Sequence, residues 1–275
     1  MTYGIRSRRK VAVRTPFVLP SSAVGGSRPG NFGSKVTWEM SVKLRSLWVV
    51  LIAAFLAQDG ALAGWSGRAR GDVDLLLVIA LDVSGSVDKG EFDLQREGLA
   101  RALASPQVAE AIAGGVNGAI AVTVVQWSGF IEKAVKVDWV RVSNARDMSR
   151  LADAIRQMTR RYDDGATDIG GAIKFCQKLF AAAPYFGVRR VIDIAGDGRN
   201  NVNYSPHFER DRVVEAGTTI NALAIAAATS TLADYYRDKV IGGSGAFVET
   251  ATDYGAFERA MLRKLVREIG GPILF

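Results

Sequence analysis

In the stretch LDVSGSVDKGE, residues 81–91, Asp82, Ser84 and Ser86 stand two positions apart, directly after the apolar run LLLVIA. A carboxylate and two hydroxyls are hard oxygen donors, and this spacing within a turn lets all three side chains face one centre. Gly85, between the serines, is expected to take backbone angles that other residues resist. Further along the chain, Thr167 in DDGATDIGG and Asp197 in AGDGRNN add a hydroxyl and a second acid. With no His or Cys in the set, magnesium, manganese or calcium is favoured over zinc. Two acids and three hydroxyls leave the six-oxygen shell of a divalent cation such as magnesium incomplete. Such an ion keeps waters, one of which a carboxylate from another molecule can replace. The same residue types also favour turns and helix caps, so the metal reading requires the three segments to meet.

The elements around them predict that they do. VDLLLVIALDV reads as a strand buried on both faces, and DKGEFDLQREGLARALAS as a helix opened by an Asp88/Glu91 capping box, with Phe92, Leu99 and Leu103 inward. GAIAVTVVQWS and EKAVKVDWVRV form a hairpin that adds one antiparallel edge strand. A helix follows with Leu151, Ile155 and Met158 inward, then one after DDGATD with Ile169, Ala172, Ile173, Cys176, Leu179 and Phe180 on one stripe. RRVIDIAGD and TINALAIAA are strands separated by a helix near 206–216. ADYYRDKV is a weak helix, GAFVETA a short strand, and YGAFERAMLRKLVREIG a closing helix with Phe257, Met261, Leu265 and Ile269 toward the sheet. Alternation of this kind implies an α/β fold: a doubly wound, mostly parallel sheet with one antiparallel edge strand and helices on both faces. Ligands of such sheets bind at the carboxyl ends of the strands, where the winding reverses. DVSGS, DDGATD and AGDGRNN all reach that edge.

DVSGS, GATDIGGAI and IAGDG together resemble the metal-ion-dependent adhesion site (MIDAS) of von Willebrand factor type A domains, over about residues 72–270. Within that superfamily the chain is similar to a bacterial group of exported, uncharacterised domains. The resemblance implies that Ser84, Ser86 and Thr167 bind the ion and that Asp82 and Asp197 hold its waters. It also implies protein binding, through a partner's Asp or Glu carboxylate, and no catalysis. VQWSG departs from the relatives, many of which carry phenylalanine before the serine; Trp127 is read as a larger core residue. The neighbouring loop DGRNNVNYSPHFERD is expected to touch the partner through Arg199, Asn200, Asn201 and Tyr204.

The rival reading is a metal-dependent hydrolase or phosphatase using the same acidic strand end. An aspartate nucleophile there usually has a second acid two residues on, and Ser84 occupies that place. GATDIGG has the glycine spacing of a phosphate loop, but Gly171 stands where its lysine would be. His207, the single histidine of the chain, is read as a surface loop residue, and Cys176, the single cysteine, as a buried small hydrophobe.

The net charge of +7 does not point to nucleic acid, because residues 1–63 hold 9 Lys and Arg against 2 Asp and Glu, leaving 26 of each sign beyond them. Residues 1–39 have the Arg, Gly, Ser and Pro bias of a disordered extension or an overlong gene reading. Residues 40–63 have a basic start, an apolar stretch from Leu47 to Ala57 and Ala61-Leu62-Ala63, the pattern of a signal peptide cut after Ala63. Residues 64–71 are read as a linker and 271–275 as a tail. The expected product is exported, periplasmic or extracellular, without a membrane anchor. One cysteine allows no intrachain disulfide, so stability must come from the core.

Overall fold

The computed structural model describes residues 72–225 and 231–271. The expected extension 1–39, signal segment 40–63 and linker 64–71 lie outside them, as does the tail beyond Gly271. Six strands form one sheet in the order β3-β2-β1-β4-β5-β6. They are β1 (Asp72–Asp82), β2 (Ile120–Trp127), β3 (Lys133–Val142), β4 (Phe186–Gly196), β5 (Thr219–Ile225) and β6 (Val248–Ala251). Every pairing is parallel except β2 with β3 at the edge. Seven α-helices lie among the described residues: α1 (Lys89–Leu103), α2 (Pro106–Ala113), α3 (Ala145–Arg156), α4 (Ile169–Leu179), α5 (His207–Glu215), α6 (Thr231–Lys239) and α7 (Phe257–Gly270).

The two-residue period of a strand divides β1 between two cores. Leu75, Leu77, Ile79 and Leu81 pack on one face with Leu99, Ile112, Leu151 and Leu265 from α1, α2, α3 and α7. Leu76, Val78 and Ala80 pack on the other with Ile173, Cys176, Val213 and Tyr236 from α4, α5 and α6. Each large aliphatic side chain so buried contributes about 1.5–3 kcal/mol. This explains why β1 is apolar on both faces from Leu75 to Leu81.

The Asp88/Glu91 capping box of α1 is present, with both reciprocal hydrogen bonds at 2.8 Å. The expected elements are found, with three differences. The reading ended the first helix near residue 105 and overlooked α2, which Ser105 caps through the Val108 amide at 3.3 Å and Pro106 opens. Leu179 is only half-buried. His207 begins α5 instead of lying in the loop, because Pro206 starts the turn and cannot donate within it.

Winding reverses between β1 and β4, since the chain first builds β2 and β3 on one side of β1 and then β4, β5 and β6 on the other. Leu81 pairs with Ala195 across this junction, so the next residues, Asp82 and Gly196, emerge side by side at the carboxyl edge.

Candidate functional site

Asp82 closes β1 fully buried. Its Oδ1 accepts the Ser84 amide at 2.8 Å, which folds the chain into the tight turn carrying Ser84 and Ser86. Gly85 is required for space and not for angle, since it has no positive φ. A Cβ there would lie 3.0 Å from Asp164 Oδ1 and 3.3 Å from the Gly165 carbonyl, while the Gly85 amide donates to that carbonyl at 2.9 Å. The turn and the Thr167 loop are therefore zipped backbone to backbone.

The side-chain oxygens then form a chain. Thr167 Oγ1 donates to Ser84 Oγ at 3.3 Å, Ser84 Oγ lies 3.2 Å from Ser86 Oγ, and Ser86 Oγ donates to Asp197 Oδ1 at 2.7 Å. Asp82, Ser84 and Thr167 are buried, Asp197 is half-buried and Ser86 is exposed. The cluster opens to solvent on the Ser86 side. The structure thus brings Asp82, Ser84, Ser86, Thr167 and Asp197 together at one strand edge.

One atom in this cluster has no partner: Asp82 Oδ2 is buried and accepts no hydrogen bond. Burial is the largest influence on this carboxyl and pushes its pKa from 3.8 up to about 7, with repulsion from Asp197 adding to it; the Ser84 hydrogen bonds and the Arg160 charge oppose the shift. An orphaned buried carboxylate oxygen costs free energy unless a cation or donor meets it. Three hydroxyls and two acids, all hard donors, fit a small divalent cation. Among the described residues no group of three or more His, Cys, Asp or Glu gathers, so the candidate set depends on hydroxyls.

Several residues that the sequence reading passed over build the frame. Tyr254, just before α7, donates to Asp197 Oδ2 at 3.0 Å, and Tyr236 from α6 donates to the Gly198 carbonyl at 3.2 Å. Arg160 donates to the carbonyls of Val83 and Ser84 at 3.3 and 3.2 Å, placing one fixed positive charge behind the turn. At the end of β2, the Ser128 carbonyl accepts the Asp168 amide at 3.0 Å, and Ser128 Oγ donates to the Ala166 carbonyl at 3.1 Å. Asp168 caps α4 through the Gly171 amide and pairs with Lys133 at 2.7 Å, both side chains almost wholly buried. Lys133 Nζ also donates to the Phe130 carbonyl at 2.8 Å. It fixes a hairpin tip on which Phe130 and Ile131 are 72% and 84% exposed.

The four residues expected at a partner interface divide. Arg199, Asn201 and Tyr204 are exposed. Arg199 stacks over the Tyr235 ring at 5.2 Å, and Tyr204 donates to Glu209 at 2.6 Å. Asn201 Oδ1 accepts the Thr167 amide and Asn200 Oδ1 the Ile169 amide, each at 2.8 Å. Both asparagines therefore anchor the Thr167 loop, and the Asn200 amide is also spent inside its own loop, on Val202 and Tyr204 carbonyls. Trp127 and Cys176 lie in the core at 0% exposure, and burial pushes the Cys176 thiol well above its ordinary value.

No curated protein matches the chain in sequence. Solved structures do match in fold. Proximal thread matrix protein 1 from the mussel byssus, in a form with a zinc-occupied MIDAS motif, is 19% identical with a TM-score of 0.55, over 72% of this chain and 48% of its own. The pilus adhesin SpaC from Lactobacillus rhamnosus GG is 13% identical with a TM-score of 0.52, over 72% and 31%. A von Willebrand factor type A protein from Catenulispora acidiphila is 15% identical with a TM-score of 0.49, over 72% and 43%. This chain spans less than half the length of each of these neighbours, and at such identity the likeness shows the fold alone. The family model described as "Protein of unknown function (DUF1194)" matches residues 72–273, and the chain belongs to that family.

Proposed function

We propose that this chain is an exported, metal-dependent protein-binding module. Ser84, Ser86 and Thr167 would hold a divalent cation, magnesium first and manganese or calcium as alternatives, with Asp82 and Asp197 positioned to hold its waters. A partner's Asp or Glu carboxylate would complete the coordination. The observation that carries this reading is the orphaned Asp82 Oδ2, buried without a partner beside four other side-chain oxygens linked at 2.7–3.3 Å. A cation supplies the positive charge that this oxygen lacks, and the exposed Ser86 side supplies the approach for a second protein. The zinc-occupied motif of the mussel byssus protein supports a divalent cation in this fold, and the pilus adhesin supports an extracellular setting. No described helix is long and apolar enough to cross a membrane.

The partner surface in this reading surrounds the cation. Arg199, Asn201 and Tyr204 lie on one side, and Asn200 acts by holding their loop. The exposed Phe130 and Ile131 on the fixed hairpin tip extend the surface with apolar area, the kind that contributes most when covered.

Calorimetric titration with magnesium, manganese and calcium tests the reading on the wild type, Asp82→Ala and Asp197→Ala. The wild type should bind at least one ion and each variant should lose it while remaining folded. Capture of a partner from the extracytoplasmic fraction should disappear with chelator. A wild type that binds none of the three ions, or variants that bind equally well, would refute the proposal. Metal-stimulated phosphatase or esterase turnover would favour the enzyme reading.

A further inference from the structure

At the opposite edge of the sheet, the starts of β4 and β5, the loop before β6 and the end of α7 enclose a cleft of about 670 Å³. That volume falls within the range of about 300–1,000 Å³ typical of small-ligand sites. Three arginines line it: Arg189, Arg190 and Arg267. Val188, Val191 and Phe247 supply an apolar wall, and Glu268 is the one acid in the lining.

Each guanidinium is held in place by something other than a carboxylate. Arg189 donates to the carbonyls of Glu268 and Ile269 at 2.9 and 2.8 Å, closing the last turn of α7. Arg190 donates to the Ala216 carbonyl at 2.6 Å. Arg267 lies 3.9 Å over the Phe247 ring. Among the described residues none of the three forms an ion pair. Glu268 makes its hydrogen bonds elsewhere: its Oε1 accepts Lys264 at 2.9 Å and Asn221 at 2.7 Å. Lys264 in turn pairs with Asp193 at 2.6 Å. The lysine and the two acids therefore form a buried cluster behind the cleft, and none of the three arginines has a carboxylate at ion-pair distance among the described residues. Burial pulls the Arg189 guanidinium below its ordinary value, and the charges of Glu268 and Asp74 oppose that shift.

We propose that this cleft is a second binding site, for a small organic anion whose carboxylate or phosphate group sits among Arg189, Arg190 and Arg267 and whose apolar body lies on the exposed Val188. The planar, immobilised guanidinium fork matches an oxyanion in two parallel hydrogen bonds, and fixing it beforehand removes much of the ordering cost of binding. None of the residues involved belongs to the metal site, so the inference stands or falls separately from the adhesion reading.

Calorimetric titration of the full chain with inorganic phosphate and with benzoate, at ionic strength matched with chloride, tests it. At least one anion should bind saturably with one site per chain. Arg190→Ala and Arg267→Ala should each weaken it about tenfold or more, the loss expected for a charged hydrogen-bond partner. Arg190→Lys should recover part of that loss. The melting temperature of Arg190→Ala should stay at the wild-type value, and Asp197→Ala should bind the anion normally. Binding of phosphate alone assigns a phosphate-bearing ligand, and binding of benzoate alone a carboxylate on an apolar body. If neither anion saturates beyond the chloride control, or if both alanine variants bind as tightly as the wild type, the proposal is overturned.

Discussion

Asp82→Asn should make the domain more stable without metal and insensitive to metal. The substitution keeps the shape of the side chain and the acceptor for the Ser84 amide, which is 2.8 Å away, but removes the charge. In the wild type, burial displaces this carboxyl from 3.8 to about 7, and a shift of this size corresponds to roughly 4 kcal/mol against the ionised form. The sign follows from linkage: the folded pKa is raised, so the favourable contribution is complete below the unfolded value and is lost as pH rises through the folded one. Above the raised value, in chelator, the wild type carries the whole cost. The asparagine does not, although its amide nitrogen takes the place of Oδ2, which has no partner, at a cost of about 1–3 kcal/mol. The net gain is on the order of 1–3 kcal/mol, or several degrees of melting temperature at about 2–4 °C per kcal/mol. Magnesium at a hundredfold excess over its dissociation constant should then stabilise the wild type by about 2.7 kcal/mol and the variant not at all. Urea denaturation of both proteins in chelator and in magnesium measures the four stabilities. A variant less stable than the wild type in chelator would show that the buried carboxylate is not the source of strain. Equal responses to magnesium would show that Asp82 takes no part in holding the ion.

Asn201→Ala should weaken magnesium binding by about tenfold and lower stability by about 1–3 kcal/mol, because the Thr167 amide loses the acceptor it has at 2.8 Å. Tyr204→Ala should leave magnesium binding unchanged; calorimetry on the pair separates the loop's anchoring from its outer face. Lys264→Met should cost about 3–5 kcal/mol in urea denaturation, since it strands Asp193 and Glu268 in the core. Asp193 has its carboxyl raised from 3.8 to about 7, first by burial and then by Glu268, with Lys264 opposing. Its contribution to stability is therefore lost as pH climbs between those values. Asp193→Asn should flatten the fall in stability over that window, measured by urea denaturation at a series of pH values; an unchanged slope would refute the assignment.

The sequence by itself determined the elements and which candidate oxygens meet at one edge. Apolar runs buried on both faces marked β1, β4 and β5, a stripe of Phe257, Met261, Leu265 and Ile269 marked α7, and the Asp88/Glu91 box marked the start of α1, because each signal is local and repeats within a few residues. The Ser105-Pro106 pair carried the same kind of signal for α2 and went unread. Asp82, Ser84, Ser86, Thr167 and Asp197 were legible because a doubly wound sheet sends the carboxyl ends of its strands to one edge. Only the tertiary structure decided how those oxygens are held and what they lack. Tyr254 reaches Asp197 from 57 residues away, and Arg160 reaches Ser84 from 76, and no periodicity encodes such pairs. That Asn200 and Asn201 brace the Thr167 loop depends on the separation of two loops in space. The orphaned Asp82 oxygen and the arginines without an ion pair at the opposite edge are likewise properties of packing, since a missing partner is defined only once every neighbour has a position.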